Sequence, residues 1–183
     1  MANIVTCTYI FHGPKSKSVE KLIHSLENSK KEIYLDDIVV ALFEDPYEYC
    51  TCNGKITNIR TFDDKYFGFE FDCRWNEPDD FKDLLLQKFK GLKIEYFVED
   101  PANDSYYTNS DRFNPELILV ESGTGCKEYF SRMEDAEEYA LKLIGVKRSD
   151  KHTDVLKELD KYNNKEEHMF SNVRLHVFDY FDD

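Results

Sequence analysis

The residue types that most often do chemistry are present in this chain, but their spacing matches no catalytic or metal-binding pattern. Cys50-Thr51-Cys52 offers two thiolates, whereas a structural zinc site needs four ligands, and the sequence has no second CxxC or HxxxH. The five histidines fall at no ligand or catalytic spacing, and a strand followed by a turn is enough to bring Cys7 near His12. We therefore predict no metal and no cofactor.

Adjacent carboxylates are the second candidate, because paired acids can hold Mg²⁺ for phosphodiester cleavage. A turn between two strands explains Asp63-Asp64, and the start of a helix explains Asp79-Asp80. A metal-dependent nuclease therefore stays open as an alternative, with no catalytic residue assigned. The sequence has no Walker loop, dinucleotide fingerprint, nucleophile elbow or HExxH motif, and this favours a protein that is not an enzyme.

Acidic and aromatic residues are better placed to bind a partner. One group follows the clearest predicted strand and includes the only tryptophan, and a second group follows a later strand. Their carboxylates can replace phosphates in an arginine-rich groove, and the tryptophan can act as a desolvated anchor. The alternatives are core packing for the tryptophan and an ordinary solvated face for the acids. The residues predicted to bind a partner are Trp75, Glu77, Asp79, Asp80, Glu99, Asp100 and Asp104.

The charge of the chain indicates what kind of partner to expect. Its 183 residues include 24 Lys and Arg against 37 Asp and Glu, a net charge of -13. Residues 1–31 carry +3, so residues 32–183 carry -16. This balance argues against direct binding of duplex DNA, which depends on neutralising phosphates with basic side chains. A cationic partner is expected.

Hydropathy patterning predicts the elements that must position these residues. The clearest strand is Tyr66–Trp75, in which aromatic residues and Cys73 alternate with polar ones, and it forms a hairpin with Gly54–Phe62. The alternation predicts that the aromatic face is buried. Further strands are predicted at 4–11, 92–98, 105–108, 117–121, 126–130 and 173–177, and helices at 19–26, 35–42, 78–90, 131–144 and 155–162.

Composition and punctuation predict the domain organisation. The chain is 41% hydrophobic and 15% aromatic, which is too rich in large apolar groups for a disordered protein. A capping box at Ser131-Arg132-Met133-Glu134 is expected to begin a helix that Gly145 ends. We predict an α+β domain over residues 1–145 and a C-terminal helix and strand extension over 146–183, packed on or beside it.

The cellular setting is predicted from two absences in the sequence. The start of the chain has no basic segment followed by an apolar run, and no stretch is long and apolar enough to span a bilayer. The five cysteines are an odd number and are spread along a mid-sized chain, which is typical of reduced thiols. We expect a cytoplasmic protein with no membrane association, either a monomer or a dimer.

Several short passages resemble those of one family. The chain is similar to the YubB-type ferredoxin-like proteins of plasmids, phages and other bacterial mobile elements over about residues 1–145. The passages that carry the resemblance are Met1-Ala2-Asn3, Gly54-Lys55-Ile56, Phe71-Asp72-Cys73-Arg74-Trp75-Asn76-Glu77-Pro78, Gly91-Leu92-Lys93-Ile94-Glu95-Tyr96, Glu99-Asp100-Pro101, and Tyr129-Phe130 with the following Ala136-Glu137-Glu138 and Ala140.

The resemblance implies a ferredoxin-like antiparallel sheet with helices packed mainly on one face, and it implies no established catalytic activity. Some small acidic mobile-element proteins are anti-CRISPR proteins that disable type II Cas9, and this chain is similar to them in size and charge. The expected function is binding of Cas9 or its guide-RNA complex in the bacterial cytoplasm, which blocks DNA targeting. The alternatives are a metal-using nuclease that trims guide RNA, with or without Cas9, and an accessory protein that binds another host factor.

Overall fold

The computed structural model describes residues 4–43, 54–74, 78–110, 117–148, 154–168 and 170–181. The chain divides into two compact units. The first unit is Met1–Ser110 with Tyr180–Asp183, and the second is Asp111–Asp179. In the part of the chain that the structure describes, none of the helices is both long enough and apolar enough to cross a bilayer.

The described residues of the first unit form five strands and three helices in chain order. They are β1 (Ile4–His12), α1 (Ser16–Ser29), α2 (Leu35–Leu42), β2 (Gly54–Phe62), β3 (Tyr66–Arg74), α3 (Asp79–Lys88), β4 (Lys93–Asp100) and β5 (Ser105–Thr108). The second unit contains β6 (Ile118–Ser122), β7 (Lys127–Phe130), α4 (Met133–Leu143), α5 (Val155–Asn163), a short 3-10 helix (Glu166–His168) and β8 (Val173–Val177). The last strand, β9 (Asp179–Tyr180), lies at the boundary between the two units.

The strands form two sheets, and the predicted α+β class is confirmed. The larger sheet has the order β2-β3-β1-β4-β5-β9, and the smaller one has the order β7-β6-β8. In the larger sheet β1 is antiparallel to both β3 and β4, so β3 and β4 run in the same direction on either side of it. β2 pairs antiparallel with β3, and β5 pairs antiparallel with β4.

The core of the first unit is built on the aromatic face of the sheet. Phe67, Phe69 and Phe71 of β3 are buried, as the alternation predicts, and they pack with the buried side of β1 and with the helices. Tyr9 lies between strand and helix, with its ring centroid 5.0 Å from that of Phe71 and 6.3 Å from that of Phe81 on α3. Phe11 and Phe69 are 5.2 Å apart. Buried aromatic pairs of this kind each add about 0.5–1.5 kcal/mol beyond their burial.

The β2–β3 hairpin shows why two acids lie side by side in the sequence. Asp63 and Asp64 have φ angles of 49° and 51°. The N–H of Lys65 donates to the carbonyl oxygen of Phe62 at 3.0 Å, which closes the turn. Two successive left-handed residues are what a tight hairpin turn requires, and Asp tolerates that conformation better than most residues. The turn therefore accounts for this carboxylate pair.

The core of the second unit brings together elements from both sides of Gly145. Ile118 and Val120 of β6 pack with Ala136 and Ala140 of α4, and Leu159 of α5 belongs to the same core. The division into compact units falls after Ser110 and before Tyr180, and Gly145 lies inside the second unit.

The sequence predicts the end of α4 correctly but not its start. The predicted capping box is wrong: the helix begins at Met133 after Arg132, with no side-chain cap, and the carboxylate of Glu134 lies 2.9 Å from the Arg132 guanidinium. The predicted stop is confirmed, since Gly145 has a φ of 71°. The N–H groups of Gly145 and Val146 donate to the carbonyl oxygens of Lys142 and Leu141, a Schellman termination.

We predict that Phe69→Ala lowers the free energy of unfolding of the first unit by about 3–5 kcal/mol, because the fully buried ring leaves a cavity in the aromatic core. The matched control is Val40→Ala on α2 of the same unit, whose side chain is 59% exposed and whose loss is expected to change stability by less than about 0.5 kcal/mol. Urea titration followed by the fluorescence of Trp75, the single tryptophan, measures the change in the first unit. A loss below about 1 kcal/mol for Phe69→Ala would contradict the packing described.

Candidate partner-binding site

The two predicted groups of binding residues lie at the same end of the larger sheet. β3 and β4 flank β1 and both run antiparallel to it, so both strands finish where β1 begins. Arg74, the last residue of β3, lies opposite Ile4, and Glu99 of β4 lies opposite Thr6. α3 starts shortly after β3, and the turn into β5 follows β4 directly. We call Asp80, Glu99, Asp100 and Asp104 the acidic end of the first unit.

The four carboxylates of the acidic end differ in exposure. Asp80 is exposed in the first turn of α3, where the helix dipole favours a negative charge. Asp104 is exposed in the turn before β5 and has a φ of 51°. Glu99 and Asp100 are only 6% and 7% exposed. Asp80 and Asp104 are therefore the carboxylates of this end that a partner can reach most readily.

Asp100 has a structural task in the turn that follows β4. Its carboxylate accepts a hydrogen bond from the side-chain amide of Asn103 at 2.7 Å and one from the backbone N–H of Asn103 at 3.3 Å. An Asp that binds the backbone three residues later stabilises a turn. Glu99 lies between Thr6 of β1 and Tyr106 of β5 in the strand register.

Three of the predicted binding residues lie wholly or partly outside what the structure describes. Trp75 and Glu77 lie outside the described residues, and the structure describes Asp79 as the first residue of α3 without its side chain. The position of α3 nevertheless puts the start of that helix at the same end of the sheet as the β4–β5 turn.

Asp72 is an acidic residue near this end that the sequence did not assign to a site. Thr6 lies between Asp72 on β3 and Glu99 on β4 in the strand register. The hydroxyl of Thr6 donates to Asp72 at 3.0 Å. The alternation along β3 predicts that Asp72 lies on the face opposite the aromatic core. That Asp72 and Glu99 flank the same residue of β1 depends on the strand order, which the sequence pattern does not give.

A second polar cluster lies at the opposite end of β1, and the sequence did not predict it. His12 Nε2 lies 2.8 Å from one carboxylate oxygen of Glu95, and Ser110 Oγ donates to the other oxygen. The imidazole ring is 4.2 Å from the ring of Tyr66. In a serine hydrolase the histidine itself contacts the serine hydroxyl, whereas here Glu95 lies between the two.

The proximity of Cys7 and His12 in the sequence does not bring their side chains together. Cys7 is fully buried in the core, and its sulfur lies 3.8 Å from that of Cys73. Successive side chains of a strand point to opposite faces, and Cys7 and His12 are five positions apart, so they face opposite sides of the sheet. Within the described residues, no group of three or more His, Cys, Asp or Glu side chains is arranged to hold a metal ion.

One acid of the second unit is engaged by a histidine. Glu121 on β6 lies 3.3 Å from Nε2 of His176 on β8, and both side chains are largely buried. The hydrogen bond with His176 is the main reason that the pKa of the Glu121 carboxyl lies below its ordinary value. The Glu121 carboxylate is therefore already hydrogen-bonded to a residue of its own unit.

Comparison of the chain with models of protein families, with curated proteins and with solved structures found no match.

We predict that neutralising Asp100 and Asp104 has unequal effects on stability. Asp100→Ala removes the acceptor for both Asn103 hydrogen bonds and is expected to cost about 1–2 kcal/mol. Asp104→Asn keeps a side chain that tolerates the left-handed conformation and should change stability by less than about 0.5 kcal/mol. Urea titrations of the two variants test this, and equal losses would contradict the turn-stabilising role of the Asp100 carboxylate.

Proposed function

We propose that this protein acts by binding a cationic surface through the acidic end of its first unit, and that the partner is Cas9 or its guide-RNA complex. The observation that carries the proposal is the strand order around β1. Because β3 and β4 end on the same side of the sheet, where β1 begins, the start of α3 and the β4–β5 turn both lie at that end of the sheet. Two acidic segments about twenty residues apart in the sequence thereby contribute to one surface.

Charge supports a cationic partner. The residues of the first unit include 13 Lys and Arg against 22 Asp and Glu, so this unit carries most of the negative charge of the chain. Cas9 holds its guide heteroduplex in a positively charged channel and reads the short motif next to its DNA target with arginines. Carboxylates placed on such arginines form strong charge-assisted hydrogen bonds and compete with phosphates. Binding there blocks DNA targeting.

We further infer that the first unit is ferredoxin-like and that the chain is a mobile-element protein of the YubB type. Support for the ferredoxin-like description comes from the segment β2-β3-β1-β4 of the sheet, in which every neighbouring pair is antiparallel. α1 and α2 connect β1 to β2, and α3 connects β3 to β4. Support for the mobile-element assignment comes from the sequence passages quoted above.

The test is cleavage of a target plasmid by type II-A Cas9 and its guide RNA, with the protein added before or after guide loading. Wild-type protein is expected to block cleavage and to leave the guide intact on a denaturing gel. Combined Asp80→Asn and Asp104→Asn substitutions should raise the concentration needed for inhibition about tenfold, since they remove two reachable charges. Added salt should slow the association steeply.

The matched control combines Glu138→Gln with Asp160→Asn, which removes the same charge from exposed positions on α4 and α5. Inhibition by this variant should stay within about twofold of wild type, because the acidic end is intact. Full cleavage at saturating protein, or an equal loss for both double variants, would reject the proposal. A shortened guide RNA would instead identify the nuclease alternative.

A further inference from the structure

The outer edge of β2 is only partly covered by the rest of the chain. β2 is the first strand in the order of the larger sheet, so only one of its sides pairs with a neighbouring strand. Near its start the N–H of Ile56 donates to the carbonyl oxygen of Ile33 at 2.9 Å, next to an isolated bridge between Tyr34 and Lys55. Beyond Ile56, within the described residues, no strand pairs with this outer side.

A groove of about 430 Å³ runs along this part of β2. Its walls are the C-terminal end of α1, the segment that follows the helix, and residues 55–59 of β2. Ile33 and Ile56 contribute apolar surface and are 6% and 9% exposed, and Ile59 lies further along the strand. The groove therefore combines apolar side chains with a backbone edge that can accept another strand.

Three lysines and two glutamates, Glu27 and Glu32, line the groove in a chain whose net charge is strongly negative. The ammonium of Lys30 lies 2.5 Å from Asp37, and that of Lys55 lies 2.8 Å from Glu32. Hydrogen bonding to Glu32 raises the pKa of Lys55 above its ordinary value. Lys31 is exposed and has no ion pair with any residue that the structure describes.

We propose that this groove binds an extended acidic peptide segment, which adds to the outer edge of β2 as a further antiparallel or parallel strand. Backbone hydrogen bonds to an open sheet edge supply affinity in this mode, and alternate side chains of the added strand supply specificity. One set of side chains packs on Ile56 and Ile59, and the other set places carboxylates near Lys31 and its lysine neighbours. The positive charge of Lys31, the groove lysine that makes no ion pair with a described residue, favours an acidic segment.

This site is separate from the acidic end and takes a partner of the opposite charge. The bulge between Ile56 and Asn58 interrupts the pairing of β2 with β3 beside the groove. A bulge on an edge strand hinders pairing with chance strands, because it twists the edge out of register. The edge is therefore expected to require a segment with matching side chains.

The experiment uses the full chain and a fluorescein-labelled, end-blocked heptapeptide of alternating Glu and Val, followed by fluorescence anisotropy at low salt. Wild-type protein is expected to bind this peptide, and the corresponding Lys and Val peptide should not compete with it for the groove. Lys31→Glu should weaken binding by about fivefold or more, because it reverses the charge of the one groove lysine that makes no ion pair with a described residue. The matched control, Lys90→Glu, makes the same change at an exposed site outside the groove.

Two further measurements separate strand addition from attraction between charges alone. A version of the peptide with alternate backbone nitrogens methylated keeps every charge and removes half of the N–H donors, so it should lose binding. Hydrogen exchange of the protein with the unmodified peptide bound should show new protection over residues 57–61.

Several outcomes overturn the proposal. It fails if the Glu and Val peptide does not bind, if Lys31→Glu and Lys90→Glu weaken binding equally, or if the methylated peptide binds as well as the unmodified one. A dimer that Lys31→Glu dissociates, in protein that binds no peptide, assigns the groove to a second copy of the chain and also rejects it. Because none of these measurements involves Cas9, the result is independent of the proposed inhibition.

Discussion

The packing of β1 between β3 and β4 is the constraint on which the rest of the first unit depends. One face of β1 carries Tyr9 and Phe11, which contact the aromatic rings of β3 and, through Phe81, the helix α3. These contacts fix the position of α3 relative to the sheet. Because both neighbours of β1 are antiparallel to it, they also fix which chain segments meet at each end of the sheet.

The site follows from this arrangement. At the end where β1 begins, the start of α3 and the turn after β4 present Asp80 and Asp104 to solvent. Asp100, at the start of the same turn, is buried and accepts a hydrogen bond from Asn103. Its carboxylate therefore stabilises the turn in which Asp104 is exposed. Among the described residues, no strand pairs with the outer edge of β2 beyond Ile56, and the groove beside that edge includes the exposed Lys31.

Several local features of this chain were predictable from the sequence, although the start of α4 was not, and features that depend on distant pairing were not. The alternation in β3 and the stop at Gly145 are local, and both were predicted correctly. The contact of Thr6 with Asp72 joins residues 66 positions apart, and that of His12 with Glu95 joins residues 83 apart, so neither leaves a pattern in the sequence. Gly145 ends a helix strongly, but the core shared by α4 and α5 determines the extent of the unit.

The most direct test of the central claim is a hydrogen-exchange footprint of the protein with and without Cas9 bound to guide RNA. The account predicts that two segments gain protection together, residues 79–83 at the start of α3 and residues 101–105 in the turn after β4, because the strand order makes them one surface. Protection of only one of these segments, or protection confined to the second unit, would contradict the claim that the acidic end binds the partner.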